Sequence, residues 1–297
     1  MNAPRHTPYD GSSKLFEIGL KPLDPAEWID ADALLAAYLA EKDRLAAGPA
    51  PILVAEPGTG AAAAELLALL AAHLPARFPE IYRRDGDHME IVPAGRRVAL
   101  SGAAPLAIAS RLVQEDLVLM RRDPAGWRLV AAALAFPSSW SIAEKFGRTL
   151  DEIHAPVPGF GAGTRPAELI ARMFDHLRPA QPVIRWNWSL YGDGRLAHPE
   201  TAPPAARRFG EGLRADNVFL RAERQTLRKL PESGDIVFTI RIYVDPLAAL
   251  ERHSDARPVA GALVAQLRAL TEAQAAYKGL TLERDRLIAR LSEIAER

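Results

Sequence analysis

The sequence contains no cysteine at any of its 297 positions. That absence excludes disulfide bonds, zinc sites built from thiolates, iron–sulfur clusters and a cysteine-ligated haem on this chain. Any metal bound here must therefore take its protein ligands from histidine, carboxylate, tyrosine or methionine side chains.

The seven histidines also lack the spacing of a multi-histidine metal site. No two of them stand in the HxxxH or HExxH arrangement that places a pair of zinc ligands on one helix. A site with a single histidine suits haem iron, because the porphyrin supplies the other ligands. It does not suit zinc, which needs several protein ligands.

Charge of one sign is not in excess, because Lys+Arg and Asp+Glu both number 37. This balance argues against a nucleic-acid-binding chain. No apolar run reaches the ~18 residues of a membrane span, and the first residues have no apolar signal core. We therefore expect a cytoplasmic chain with neither nucleic acid nor membrane among its partners.

The two glycine-containing segments that resemble phosphate-binding loops lack the residues that such loops need. The turn around Gly58 and Gly60 has Ala61 where a phosphate-binding loop needs lysine, and the loop 159–164 lacks GxGxxG spacing. Nucleotide binding at either loop is therefore disfavoured. Turns at these positions, with Thr59 near the start of a helix, are the expected structure.

The chain does contain enough apolar residues, 48%, for a sizeable core. We expect three regions: 1–110, a helical and extended region that packs on the core; 111–256, the core itself; and 257–297, C-terminal helices. A hairpin turn at 123–126 and the strand pattern of 183–191 support antiparallel strands within the core region.

The segment 136–158, FPSSWSIAEKFGRTLDEIHAPVP, predicts a strand end, a turn, an amphipathic helix and a fixed histidine. Three apolar residues share the predicted helical face, namely Ile142, Phe146 and Leu150. His154 stands where Pro156 and Pro158 must end the helix. A rigidly held neutral histidine is a common metal ligand. The alternative is a histidine that only caps helix carbonyls.

Two later stretches combine apolar and polar residues in strand patterns. Residues 183–191 place Arg185, Asn187 and Ser189 on one face and Trp186, Trp188 and Leu190 on the other. Residues 219–244 predict a hairpin with a polar run, Glu223 to Gln225, between apolar positions. We expect this run to be buried, with Glu223 and Arg224 paired with each other, with Lys145 or with a ligand. A solvated face is the alternative.

The segment 136–158, RWNW at 185–188, LRAERQTLRKLPESGDIVFTIRIYV at 220–244 and AAYKGL at 275–280 together carry a resemblance. The chain resembles the alpha-subunit family of haem-dependent oxidative N-demethylases over about 110–280. The resemblance implies an α+β fold, with a PAS-like curved antiparallel sheet surrounded by helices and a haem-binding core at 111–256. It implies oxidation of a small secondary amine such as dimethylamine with O2, with electrons from partner subunits that carry flavin and iron–sulfur centres.

The resemblance and the residue chemistry together nominate site residues. His154 is the expected axial ligand of a haem b. Anionic propionates favour basic side chains, and the candidates are Lys145, Arg185, Arg221 and Arg224. Trp188 is expected beside the cofactor, with core packing as the alternative. Glu223 and Arg224 are the expected catalytic residues, and aromatic faces for the amine cation are Trp186, Trp188 and Tyr243. A haem sensor or carrier without catalysis, or a module without cofactor, are the alternative functions.

Overall fold

A computed structural model describes residues 3–201 and 207–297 of the chain. Its strands, in chain order, are β1 (Lys21–Pro22), β2 (Leu53–Ala55), β3 (Tyr82–Asp85), β4 (His88–Ile91), β5 (Arg96–Ala99), β6 (Asp116–Asp123), β7 (Gly126–Ala133), β8 (Val183–Tyr191), β9 (Phe219–Lys229) and β10 (Ile236–Pro246).

The α-helices surround these strands. In chain order they are α1 (Leu35–Ala46), α2 (Gly60–Arg77), α3 (Pro105–Ser110), α4 (Ile142–Lys145), α5 (Leu150–His154), α6 (Arg165–His176), α7 (Leu247–Leu250), α8 (Ala256–Ala269), α9 (Glu272–Tyr277) and α10 (Arg284–Ala295). No helix in the described part of the chain combines the length and the apolar character needed to cross a membrane.

The strands form a large antiparallel sheet and a small one. The large sheet has seven strands in the order β1-β8-β9-β10-β6-β7-β2, and β3, β4 and β5 form the second. The predicted mixture of helices with a large antiparallel sheet is therefore confirmed, while its PAS-like character stays a prediction. Both edge strands of the large sheet, β1 and β2, come from the first 110 residues.

The strand predicted at 183–191 from the alternation of polar and apolar residues is confirmed, because β8 has the same bounds. The prediction of one helix between residue 139 and His154 was wrong, because the structure has two short helices there. Gly147 adopts φ +76°, in the left-handed region, and divides the segment into α4 and α5. Ser141 with Glu144 and Thr149 with Glu152 form a capping box for each helix, so each one starts independently. Phe146 has extended backbone between them.

The large sheet has two faces with different neighbours. The cavity face turns toward α4, α5 and α6, and the opposite face packs against α1, α2 and the C-terminal helices. Because side chains alternate along a strand, neighbouring residues of β9 lie on different faces. Glu223, Gln225 and Leu227 belong to the cavity face, whereas Arg224 belongs to the opposite face.

Candidate functional site

A cavity of about 280 Å³ lies between the cavity face of the large sheet, the helices α4 to α6 and the N-terminal residues 16–20. Much of its wall is apolar. The apolar residues include Leu20, Val118, Met120, Leu129, Leu134, Phe136, Leu150, Ile153, Val157, Phe160, Ile170, Phe174, Leu227, Phe238 and Ile240. Such a wall suits a largely apolar ligand that brings a few polar groups of its own.

His154 lines this cavity from the last position of α5. The helix begins at Thr149, whose side chain accepts a hydrogen bond from the Glu152 amide, so a short but well-capped helix presents the imidazole. Burial, reinforced by the positive charge of Lys145, lowers the pKa of His154 to about 4. The imidazole is therefore neutral near pH 7, which is the form that ligates a metal.

Lys145 and Arg185 lie close enough to His154 for their charges to act on its imidazole. Lys145 Nζ donates to the Ile153 carbonyl at 3.3 Å and lies 4.9 Å from the centre of the Trp140 ring. Arg185 Nη2 donates to the Glu17 carbonyl at 3.1 Å, but its buried Nε has no hydrogen-bond partner among the described residues. Both predicted cofactor contacts therefore reach the cavity.

Glu223 is the buried carboxylate of the cavity's polar end. Its Oε2 accepts hydrogen bonds from Asn187 at 3.2 Å and Gln225 at 2.9 Å, and Oε1 lies 3.6 Å from Arg221 Nε. Burial acts to raise the pKa of Glu223, but Arg221, Asn187 and Lys278 outweigh it, so the pKa lies below its ordinary value. Glu223 is thus a carboxylate near pH 7, and its buried Oε1 accepts no hydrogen bond from the described residues.

Two further cations line this cavity, Lys278 and Arg208, and neither was predicted from the sequence. Lys278 Nζ donates to the Trp188 carbonyl at 3.0 Å and to Ser189 Oγ at 3.2 Å. Arg208 donates to the carbonyls of Lys278 and Leu190. One signal pointed to Lys278: only six of the 37 basic residues are lysines, and one of them lies in the motif AAYKGL.

Four cations line the cavity, namely Lys145, Arg185, Arg208 and Lys278. None of them forms a salt bridge with a carboxylate within residues 3–201 and 207–297. Buried or partly buried charges of this kind are normally paired. The cavity therefore has a surplus of positive charge that an anionic ligand would neutralise.

Three hydroxyl groups cluster at the polar end of the cavity. Tyr191 Oη lies 2.8 Å from Ser138 Oγ and 2.9 Å from Ser139 Oγ. Ser139 has φ +59°, an unfavourable conformation for a residue with a side chain, and this places its hydroxyl beside Tyr191. None of these three residues was singled out as a functional residue from the sequence.

Other predicted site residues do not line the cavity. Arg221 is fully buried, donates to the carbonyls of Phe136 and Leu196, and acts on Glu223 from the same face of β9. Arg224 projects from the opposite face and donates to the carbonyls of Glu27 and Trp28. The two predicted catalytic residues are therefore separated by the sheet, because adjacent strand residues point to opposite sides.

The three aromatic candidates for the amine cation also lie on the opposite face. Trp188 is 1% exposed and packs in the C-terminal helical core, with its ring edge-on to Tyr9. Trp186 and Tyr243 pack around His6, with ring centres 4.8 and 4.7 Å from the imidazole. The aromatic residues that line the cavity include Phe16, Trp140, Tyr191 and Tyr277.

No group of three or more histidine, cysteine or carboxylate residues able to hold a metal ion occurs in the parts of the chain that the structure describes. His154 is the one histidine among the described residues that line the cavity. The family model described as haem-dependent oxidative N-demethylase, alpha subunit-like, matches residues 19–288 of the chain.

Proposed function

The chain belongs to the haem-dependent oxidative N-demethylase, alpha subunit-like family, and from this premise we propose that it oxidatively removes a methyl group from a small secondary amine such as dimethylamine. The reaction consumes O2 and takes its electrons from partner subunits. The observation that carries this proposal is a neutral histidine, His154, on the wall of an apolar cavity that has unpaired cations.

The donor set of the cavity fits a haem b. A porphyrin is apolar over most of its surface, as the cavity wall is, and it needs only one or two axial ligands from the protein. His154 would supply that ligand. The hydrogen bond of the imidazole to the Leu150 backbone would fix the ring and increase its basicity as a ligand.

Lys145 and Arg185 would bind the haem propionates. Both lie near His154, both lack a carboxylate partner among the described residues, and the buried Arg185 Nε has a proton to donate. Guanidinium groups bind carboxylates through two parallel hydrogen bonds, which would orient the cofactor as well as neutralise it.

The haem, when bound, supplies the activation of dioxygen and the electron transfer that oxidise the methyl group. Glu223 holds the ammonium form of the substrate, because this carboxylate lines the cavity and its Oε1 accepts no hydrogen bond from the described residues, with Arg221 Nε at 3.6 Å. The apolar wall excludes water and so strengthens this ion pair. The hydroxyls of Ser138, Ser139 and Tyr191 provide further hydrogen bonds at the same end of the cavity.

The proposed partners are flavin and iron–sulfur reductase subunits. An alpha subunit implies other subunits, and a chain without cysteine cannot hold an iron–sulfur cluster through thiolates. We therefore expect the pure chain to oxidise NADPH slowly, because it also lacks a convincing dinucleotide loop.

The test is an assay of formaldehyde released from dimethylamine by the haem-loaded chain in air, with and without an added electron donor. We expect formaldehyde only when the donor is present, and little NADPH oxidation by the chain alone. Haem binding without any formaldehyde would support the sensor or carrier function instead. Rapid NADPH oxidation by the pure chain would contradict the proposed dependence on partners.

A further inference from the structure

Lys278 and Glu223 form the charged centre of the cavity's polar end. Their charges interact, and both residues line the cavity. Lys278 follows α9, 89 residues after Ser189 in the chain, and its Nζ reaches into the sheet to contact the Trp188 carbonyl and Ser189 Oγ. The pair therefore depends on how the C-terminal helices pack against β8.

The two hydrogen-bond acceptors of Lys278 match a neutral amine. An uncharged –NH2 group has two N–H bonds, which the Trp188 carbonyl at 3.0 Å and Ser189 Oγ at 3.2 Å accept. The nitrogen lone pair then remains free to take a proton. Burial lowers the pKa of Lys278 to about 8, although Glu223 acts to raise it. The amine thus changes its charge near physiological pH.

Glu223 is the one carboxylate of the sheet, among the described residues that line the cavity, that can stabilise a protonated Lys278. The titratable and charged residues that line the same cavity, from every element around it, are Glu17, Lys145, His154, Arg185, Tyr191, Arg208, Glu223 and Tyr277. Arg185 acts against protonation of Lys278, and Glu223 acts in favour of it. A substrate ammonium bound to Glu223 would add a second positive charge next to Lys278, which like-charge repulsion opposes.

We propose that Lys278 accepts the proton of the bound ammonium substrate and so produces the free amine that can be oxidised. One N–H bond of the substrate breaks, its electron pair stays on the substrate nitrogen, and the proton forms a bond with Lys278 Nζ. The resulting Lys278 ammonium is stabilised by Glu223. This inference rests on the proposed amine substrate, and it makes Lys278 a general base.

One measurable consequence is that binding of a cation and protonation of Lys278 exclude each other. Below pH 8 the empty site has a charged Lys278, so a cation that cannot lose a proton must displace the proton of Lys278. Its affinity should approach a tenfold fall for each pH unit below about 8, which amounts to about 50-fold between pH 8 and pH 6. Above pH 8 the affinity should be constant.

Tetramethylammonium, a permanent cation without an N–H bond, is the probe for this linkage. We would titrate it into the haem-loaded chain by calorimetry at pH 7, in two buffers with different ionisation enthalpies, and repeat the titration from pH 6 to 9. The wild-type chain should release close to one proton for each cation bound. No release at pH 7, or an affinity that does not change with pH, would overturn the proposal.

Two variants of Lys278 have opposite expected results. Lys278→Met removes the amine that titrates, so the affinity for tetramethylammonium should be independent of pH. At pH 6 it should be about 100-fold higher than that of the wild-type chain. Lys278→Arg keeps a permanent charge, so its affinity should be low at every pH. Lys229→Met removes a lysine at the end of β9, outside the cavity lining, and should behave as the wild-type chain does.

A pH dependence that persists in Lys278→Met would assign the proton to another group and overturn the proposal. The wild-type titration decides the question alone if neither variant folds. Failure of the proposed reaction is distinguishable, because tetramethylammonium binding needs no electron donor and no turnover. Formaldehyde release without proton release would keep the reaction and remove only the role of Lys278. Proton release without formaldehyde would support the proton-linked cation site and contradict the proposed reaction.

Discussion

Glu223 and Arg224 are neighbours on β9, both are buried, and their surroundings differ completely. Glu223 lies on the cavity face, where its Oε1 has no hydrogen-bond donor among the described residues. Arg224 lies on the opposite face, where its guanidinium donates to the carbonyls of Glu27 and Trp28. Glu223 lines the cavity with Arg221 Nε 3.6 Å from its Oε1, so a ligand in the cavity can add to this ion pair. Arg224 is bound to the backbone and stabilises the fold.

Cations on the two faces also differ in whether a carboxylate forms a salt bridge with them. On the opposite face, Arg241 forms a salt bridge with Asp32 at 2.7 Å, and its ring neighbours are Tyr38 and Tyr243. On the cavity face, Arg185 and Lys278 donate to backbone carbonyls and a hydroxyl, without a carboxylate salt bridge in the described parts of the chain. The cavity face therefore holds charges whose partners are expected to come from outside the chain.

Replacement of Arg224 should give the largest change in stability. Arg224→Met removes the donor of the buried Trp28 carbonyl and of the partly buried Glu27 carbonyl. Hydrogen bonds to charged groups contribute about 1.5–3 kcal/mol each. We expect urea unfolding to show a loss of about 3 kcal/mol, with unchanged amine affinity in the protein that remains folded. A loss of amine affinity without a loss of stability would place Arg224 in the site and remove the contrast between the faces.

Glu223→Gln should give the complementary result at the neighbouring position. The substitution keeps the size of the side chain and removes its charge, so the amine cation loses its ion pair. We expect about 30-fold weaker amine binding, equivalent to about 2 kcal/mol, with an unchanged haem spectrum. Spectral titration with dimethylamine and kcat/KM would measure the effect. Wild-type amine affinity in this variant would contradict the proposed role of Glu223.

Trp188→Phe should have the smallest effect. The ring lies in the C-terminal helical core on the opposite face, and its indole nitrogen has no hydrogen-bond partner among the described residues. We expect a loss of about 1 kcal/mol of stability from reduced packing and no change in the haem absorption bands. A shifted Soret band in Trp188→Phe would restore the prediction from sequence that this residue contacts the cofactor.

The sequence predicted much of the cavity face of β8, because its alternation of polar and apolar residues is regular. That pattern put Arg185, Asn187 and Ser189 on one face, and all three line the cavity. The same alternation along β9 places Glu223 and Arg224 on opposite faces. The prediction that these two residues act together ignored this alternation. Period-two geometry thus identifies faces within a strand even where the residue types suggest a pair.

Lys278 and Arg208 could not be assigned from sequence patterns. Lys278 reaches Ser189 across 89 residues, and Arg208 reaches the Lys278 carbonyl across 70. Local periodicity has no information about such contacts, because they depend on the packing of C-terminal helices against the sheet. The division between α4 and α5 was missed for a different reason, since Gly147 lies within a pattern that otherwise favours one helix.

The central claim is that His154 holds a haem in the cavity, and the absorption spectrum of the purified protein tests it most directly. The wild-type chain should show the Soret band of a histidine-ligated haem, and His154→Gly should lose or shift it. Added imidazole should restore the band by occupying the space of the lost side chain. His176→Ala, at the exposed end of α6, should keep the wild-type spectrum. An unchanged Soret band in His154→Gly would contradict the account and assign the ligand to another residue.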